Sequence, residues 1–287
     1  MHMADYLGEY RGSRTAIFAY VSLDSPDCLS LVHNLRPQSE VQNKMHRDFW
    51  PQFCLELRSL SLGAFSQELA RPSSQTYKNV HALARTLAAY RDEGKWFFLR
   101  PFCEMNDATQ TAPWEFGHRQ YKNTPADLAG AWKRLRDAFD IEGATNAVFV
   151  FSPLAAYGVH RESQTLAALN LIPPGYIDAF GLNVYARPMT AYGGVSKEPV
   201  PFEDLVSPWL RLLDGSKHRG IPLAVPEMGV SNQASDASRA DWLSKAFRFA
   251  RAHNFVLVTY FNYHHRYWQI DRDTLAGRAL KREIDVF

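Results

Sequence analysis

Two glutamates end apolar runs that carry no charge of their own. Trp96-Phe97-Phe98-Leu99 leads into Arg100-Pro101-Phe102-Cys103-Glu104-Met105-Asn106, and Ile221-Pro222-Leu223-Ala224-Val225 leads into Pro226-Glu227-Met228-Gly229. A short continuous apolar run reads as a strand buried on both faces of a parallel sheet. A charge at the C-terminal mouth of such a strand sits where α/β architectures carry their chemistry. Two carboxyls meeting at one mouth can divide the work: one protonates a poor leaving group, the other attacks carbon or activates water. Retaining cleavage of a glycosidic bond uses such a pair about 5–5.5 Å apart. The same residues also allow a plainer reading, in which each glutamate pairs with a neighbouring arginine such as Arg100 or Arg187, because ion pairs occupy clefts as well.

The elements that must position these residues follow in order. Thr15 to Leu23 reads as a strand rich in β-branched and aromatic residues. Residues 24–44, broken by Pro26 and Pro37, read as loop with a short helix. Arg47 to Leu60 has helical apolar spacing through Phe49, Trp50, Phe53, Leu57 and Leu60, and Ser61 to Glu68 reads as a further strand. Lys78 to Arg91 is a helix. Thr124 and Pro125 form an N-cap and a first helical position, opening a helix to about Asp140. Strands at Ala147–Pro153, Ile177–Ala186, Ile221–Val230 and Phe255–Asn262 then alternate with helices at Phe202–Leu213, Ser238–His253 and Thr274–Ile284. Repeated β-α-β-α implies a parallel sheet. A length near ~250 residues and the lack of a glycine-rich phosphate loop after the first strand favour a (β/α)8 TIM barrel over a doubly wound sheet. One α/β domain spanning residues 1–287 is expected, with strands 1–3 inside residues 1–94 and the active-site strands in 95–272.

Composition narrows the partners. Among 287 residues, 32 Lys and Arg face 30 Asp and Glu, a formal charge of +2 that supplies no basic stripe for nucleic acid. Aromatic residues make up 13%, which with near-neutral charge fits an uncharged, stackable ligand such as a sugar. Cys28, Cys54 and Cys103 are too widely spaced for a disulfide framework or a metal pair and read as buried thiols. No apolar run reaches the roughly 20 residues of a membrane span, and no signal-peptide core opens the chain. Met1-His2-Met3 resembles a cloning remnant, so both a secreted and a cytoplasmic origin stay open.

The segment Leu99-Arg100-Pro101-Phe102-Cys103-Glu104-Met105-Asn106, with Pro113-Trp114-Glu115-Phe116-Gly117, resembles the family 26 glycoside hydrolases of clan A, whose fourth strand ends in RPxHEMNG before an aromatic segment. Asp178 to Tyr185 is similar to that family's sixth strand, Val225-Pro226-Glu227-Met228-Gly229 to its seventh, and Tyr260-Phe261-Asn262 with Trp268 to its eighth and the following loop. The likeness covers about residues 95–272. It implies Glu104 as acid/base, Glu227 as nucleophile, Tyr185 as hydrogen-bond donor to the nucleophile, Trp268 as a floor under the sugar, Trp114 as a subsite wall and Arg100 as a charge partner near Glu227. Asn106 and Cys103 fall in the same motif as substrate-side residues, and His265 (or His264) lies near Trp268 as a sugar contact. The implied activity is retaining, endo-acting hydrolysis of a β-linked polysaccharide by a monomer. β-1,4-Mannan is the first choice, and mixed-linkage β-glucan and β-1,3-xylan are the alternatives.

Two departures bear on this. Cys103 stands where the family places a histidine, and a thiol is a much weaker hydrogen-bond partner than imidazole. Residues 107–112 replace a glycine and a short linker, on the leaving-group side. Cys103, with the unusual N-terminal quarter, leaves a catalytically weak carbohydrate-binding barrel as a second reading. No cofactor or metal is expected: His264-His265 with Asp271 lacks ligand spacing, and no HxH, GxSxG or P-loop motif is present. Trp50, Trp96, Trp132, Trp209 and Trp242 read as core.

Overall fold

The computed structural model describes residues 18–28, 51–107, 109, 111–156, 161–189, 195–262 and 268–286. Its strands are β1 (Phe18–Ser22), β2 (Gln52–Glu56), β3 (Phe97–Pro101), β4 (Ala147–Phe151), β5 (Leu154–Ala156), β6 (Ala179–Ala186), β7 (Pro188–Met189), β8 (Val195–Pro199), β9 (Leu223–Val230) and β10 (Leu257–Tyr260). The helices are α1 (Leu62–Leu69), α2 (Gln75–Ala88), α3 (Pro125–Ile141), α4 (Glu162–Leu171), α5 (Phe202–Asp214), α6 (Asp236–Ala252) and α7 (Leu275–Val286). The main sheet runs β1-β2-β3-β4-β6-β9-β10, with β5 also on β6, and every pairing in it is parallel. Strands distant in that order meet across the interior: the Gln52 amide on β2 donates to the Pro226 carbonyl on β9 at 2.9 Å. The sheet is curled into a (β/α)8 barrel.

Alternation along each strand builds two apolar layers. Phe97 and Leu99, Phe149 and Phe151, and Phe180 and Leu182 point outward into the large core shared with the helices. The inward residues Phe98, Val150, Ala179 and Ala224 form a small separate cluster that plugs the barrel. Above that plug the inward positions turn polar: Cys54 and Glu56, Arg100, Ser152, Asn183 and Tyr185.

Strand β9 breaks the alternation, and that break sets the site. Between Gly181/Ala224 and Asn183/Glu227 the register spends two residues on β6 against three on β9, and β10 shows the same shift against β9. This is a β-bulge centred on Pro226, the kind of position where a strand tolerates proline. Pro226 and Glu227 therefore both face the interior. Gly181 makes room for the bulge, since a Cβ there would lie 2.7 Å from the Pro226 and Val150 side chains.

Local signals account for most helix starts. Thr124 is the expected N-cap and forms a capping box, with Asp127 returning the bond and Pro125 leading α3. Ser61, Ser74 and Ser235 cap α1, α2 and α6, each cap contributing about 1 kcal/mol. Two expectations in the first quarter are reversed. Described residues of the 47–60 segment form strand β2 rather than a helix: Phe53 and Leu55 face the helices while Gln52, Cys54 and Glu56 face the interior, an alternation held by parallel neighbours on both sides. Residues 61–68 form helix α1 rather than a strand, because Ser61 accepts from the Ala64 N–H and starts a helical turn. Trp132, Trp209 and Trp242 are buried, but Trp96 is 43% exposed at the start of β3, not core. Trp50 lies outside the described residues. Cys28, Cys54 and Cys103 are buried free thiols. No helix among the described residues is long and apolar enough to cross a membrane.

Candidate active site

A cavity of about 290 Å³ opens at the C-terminal ends of the strands, lined by residues that include Tyr20, Glu56, Cys103, Glu104, Trp114, Tyr185, Glu227 and Phe261. Glu104 reaches it from a strained turn. After β3 the backbone passes through left-handed conformations at Phe102 (φ 52°) and Glu104 (φ 57°), costing about 1–3 kcal/mol each for residues with a side chain. Surrounding bonds hold the turn in place. The Phe102 N–H donates to the Leu55 carbonyl at 2.9 Å, the Glu104 N–H to Ser152 at 2.8 Å, and the Phe116 N–H to Met105 at 2.8 Å. Asn106 clamps it from behind. Fully buried, its side-chain amide donates to the Leu154 carbonyl at 2.9 Å and accepts from the Leu154 N–H at 2.7 Å. Asn106 thus braces the turn and does not line the cavity.

The two glutamates are wired together beneath the cavity. Arg100, fully buried, donates one guanidinium N–H to Glu227 Oε1 at 2.5 Å and another to Asn183 Oδ1 at 3.0 Å. Asn183 also accepts from the Ser152 hydroxyl at 2.8 Å, and its own amide donates to Glu104 Oε1 at 2.8 Å. The second oxygen of Glu227 accepts from the Tyr185 hydroxyl. Glu227 thus has both oxygens oriented and a countercharge at contact, while Glu104 receives an uncharged amide donor.

The electrostatics of the pair are unequal. The Glu104 carboxyl is pushed up to about 8, by burial first and by the nearby Glu227 charge second, with the Asn183 bond and Arg100 opposing. Glu56 rises to about 7, chiefly through burial. Burial, followed by the Glu227 and Glu104 charges, also raises Tyr185, so its phenol stays a donor. The Cys103 thiol is raised well above its ordinary value, first by its hydrogen bond with Cys54 and then by burial. That favours the protonated thiol where Cys103 lines the cavity.

The other expected residues take differing places. Trp114 is buried against the turn, its indole N–H donating to the Cys103 carbonyl at 2.7 Å, with the ring lining the cavity. Trp268 packs on Tyr185, ring centroids 4.7 Å apart. Gly229 permits this contact, because a Cβ there would approach both rings to 3.0–3.1 Å. Arg187 does not pair with either glutamate and lies over the Trp268 ring, 5.7 Å from its centroid. His264 and His265 lie outside the described residues. No cluster of His, Cys, Asp or Glu among the described residues is arranged to hold a metal ion.

Sequence reasoning passed over Asn183, Ser152, Tyr20, Glu56 and Phe261 as site residues. Asn183 was legible as the one amide at inward parity with Tyr185, two residues on. Glu56 was hidden by the helical reading of its segment: read as a strand, that segment also ends in a glutamate.

No protein-family model matches the chain, and no curated protein matches it by sequence. Its fold does match solved structures. A family 26 β-mannanase from Bacteroides ovatus superposes with a TM-score of 0.61 at 13% identity, covering 96% of this chain and 80% of that one. The catalytic domain of a family 26 endo-β-1,4-mannanase from Bacillus sp. JAMB-750 gives 0.61 at 15% identity, covering 98% and 78%. A modular endo-β-1,4-mannanase from Cellulomonas fimi gives 0.62 at 14% identity, covering 98% of this chain and 64% of that one. The chain therefore shares the barrel fold of these family 26 structures.

Proposed function

We propose that this protein is a retaining, endo-acting glycoside hydrolase that cleaves a β-linked polysaccharide, with β-1,4-mannan as first substrate. The observation that carries this reading is the pairing of Glu104 and Glu227 at one cavity, in unlike environments. The choice of mannan rests on the fold shared with β-mannanases and on the motifs around both glutamates.

The chemistry follows from the two environments. Glu104, still protonated at neutral pH, gives its proton to the glycosidic oxygen. Glu227, with Arg100 as countercharge and Tyr185 fixing its second oxygen, attacks the anomeric carbon as the C–O bond to the leaving sugar breaks. Forming the glycosyl ester removes the Glu227 charge, which is the second cause of the raised Glu104 value. Glu104 thereby becomes the stronger acid and the better-placed base once its proton has left. It then takes a proton from water as that water attacks the same carbon, releasing the sugar and restoring both carboxyls.

The test is release of reducing ends from mannan, glucomannan, mixed-linkage glucan and xylans by the wild type, Glu104→Gln and Glu227→Gln. Turnover of one polymer by the wild type, lost in both variants, is the expected result, with the newly released anomer retaining the β configuration by NMR. Near wild-type turnover in either variant removes that glutamate's assignment. Binding of a polymer without any turnover favours the carbohydrate-binding barrel, the reading that Cys103 in the histidine position motivates.

A further inference from the structure

We propose that Glu56, at the C-terminal end of β2, is a substrate-binding residue that holds hydroxyls of a neutral sugar in the cavity shared with Glu104 and Glu227 and excludes anionic sugars. The inference rests on the glycosidase reading and adds a third carboxyl to its site.

Three observations carry it. Glu56 is only partly buried, and its carboxyl lines the same cavity as Glu104 and Glu227. Among the described residues it forms no ion pair, and its one side-chain hydrogen bond comes from the Cys54 thiol at 3.8 Å, a weak donor. Holding a carboxyl half-buried against a thiol costs stability that no contact among the described residues returns, a pattern found where a residue is kept for binding. A carboxyl in this setting accepts from one sugar hydroxyl and, when protonated, donates to another.

The surrounding charge sets the class of sugar. Glu56, Glu104, Asp107, Glu115 and Glu227 all line the cavity, and no lysine, arginine or histidine is among its described lining residues. Among the described residues, the Arg100 cation is buried and already bonded to Glu227 and Asn183. A uronate carboxylate entering here finds no cationic partner among the described lining residues and meets the like charge of Glu227 and Asp107, whereas Glu104 stays protonated. A neutral hexose meets only hydrogen-bonding groups and rings.

The experiment measures binding by calorimetry, on the Glu227→Gln background so that no substrate is consumed. The probes are β-1,4-mannohexaose, cellohexaose, xylohexaose and a β-1,4-linked oligomannuronate of equal length. The expected result is tight binding of one neutral oligosaccharide, weakened roughly 10- to 100-fold by adding Glu56→Ala, as for loss of one to two good hydrogen bonds. Glu56→Gln recovers part of the loss, the oligomannuronate binds far more weakly, and the melting temperature is unchanged or higher in both Glu56 variants. Neutral binding within twofold of the background in Glu56→Ala overturns this inference alone. So does a fall in melting temperature with binding that Glu56→Gln does not rescue, or oligomannuronate binding equal to the neutral sugar. Failure of a Glu227→Gln background that keeps the wild-type circular dichroism spectrum to bind any of the four, with no turnover of them by the wild type, removes the glycosidase reading and this inference with it.

Discussion

Replacing Arg100 by Met tests the arrangement under the site most directly. The guanidinium is fully buried, Glu227 is 4% exposed, and the two meet at 2.5 Å. Truncating one partner strands a buried carboxylate, and breaking such a pair costs about 3–5 kcal/mol. With a urea slope of about 3 kcal/mol/M, the unfolding midpoint should fall by roughly 1–1.7 M, read from tryptophan fluorescence. Glu227→Gln alone strands the guanidinium and should cost a similar amount. In Arg100→Met/Glu227→Gln neither charge remains, so the double variant should be less destabilised than the sum of the singles by about 2 kcal/mol. Some cost stays, because Arg100 also bonds Asn183. Additivity within ~0.5 kcal/mol would mean that the two side chains are energetically independent, and would refute the pairing on which the orientation of Glu227 depends.

Other expectations concern the chemistry and the barrel wall. Because Glu104 must be protonated to act as acid and its carboxyl is raised to about 8, kcat/KM on polymer should hold through neutral pH and fall as pH rises past that value. A profile already falling above about pH 5 would contradict the role of burial. Glu104→Gln should lose about 10²–10⁴-fold on polymer, yet retain the first step on an aryl glycoside whose leaving group needs no proton, seen as a burst of released phenol. Tyr185→Phe removes one bond to Glu227 and should lower kcat/KM by roughly 10- to 100-fold with little change in melting temperature. Gly181→Ala places a Cβ 2.7 Å from the Pro226 ring and the Val150 side chain and should destabilise by about 1–3 kcal/mol. A variant as stable as the wild type would show that the bulge has slack.

Which parts of this were legible before the fold is clearest from single residues. Thr124 and Pro125 announced α3 because a cap acts over three residues, and the buried runs at Phe97–Leu99 and Phe180–Tyr185 announced strands because apolarity on both faces has few other uses. Glu104 and Glu227 could be picked out as well, since a charge has to emerge at a strand's mouth. The first quarter was misread where two periodicities fit the same letters. Phe53, Leu57 and Leu60 satisfy a helical spacing, while Phe53, Leu55 and Leu57 satisfy a strand, and only pairing with β1 and β3 selects the second.

The sequence by itself determined the barrel class, most element types from α3 onward, and the two carboxyls around which a site could form. Tertiary structure alone decided how those carboxyls differ. A bulge at Pro226 turns Glu227 inward onto Arg100 and Tyr185, while the turn braced by Asn106 leaves Glu104 with an amide donor and buried surroundings. Which glutamate keeps its proton depends on desolvation and on charges brought close from other strands, and neither quantity exists along the chain until the sheet has curled.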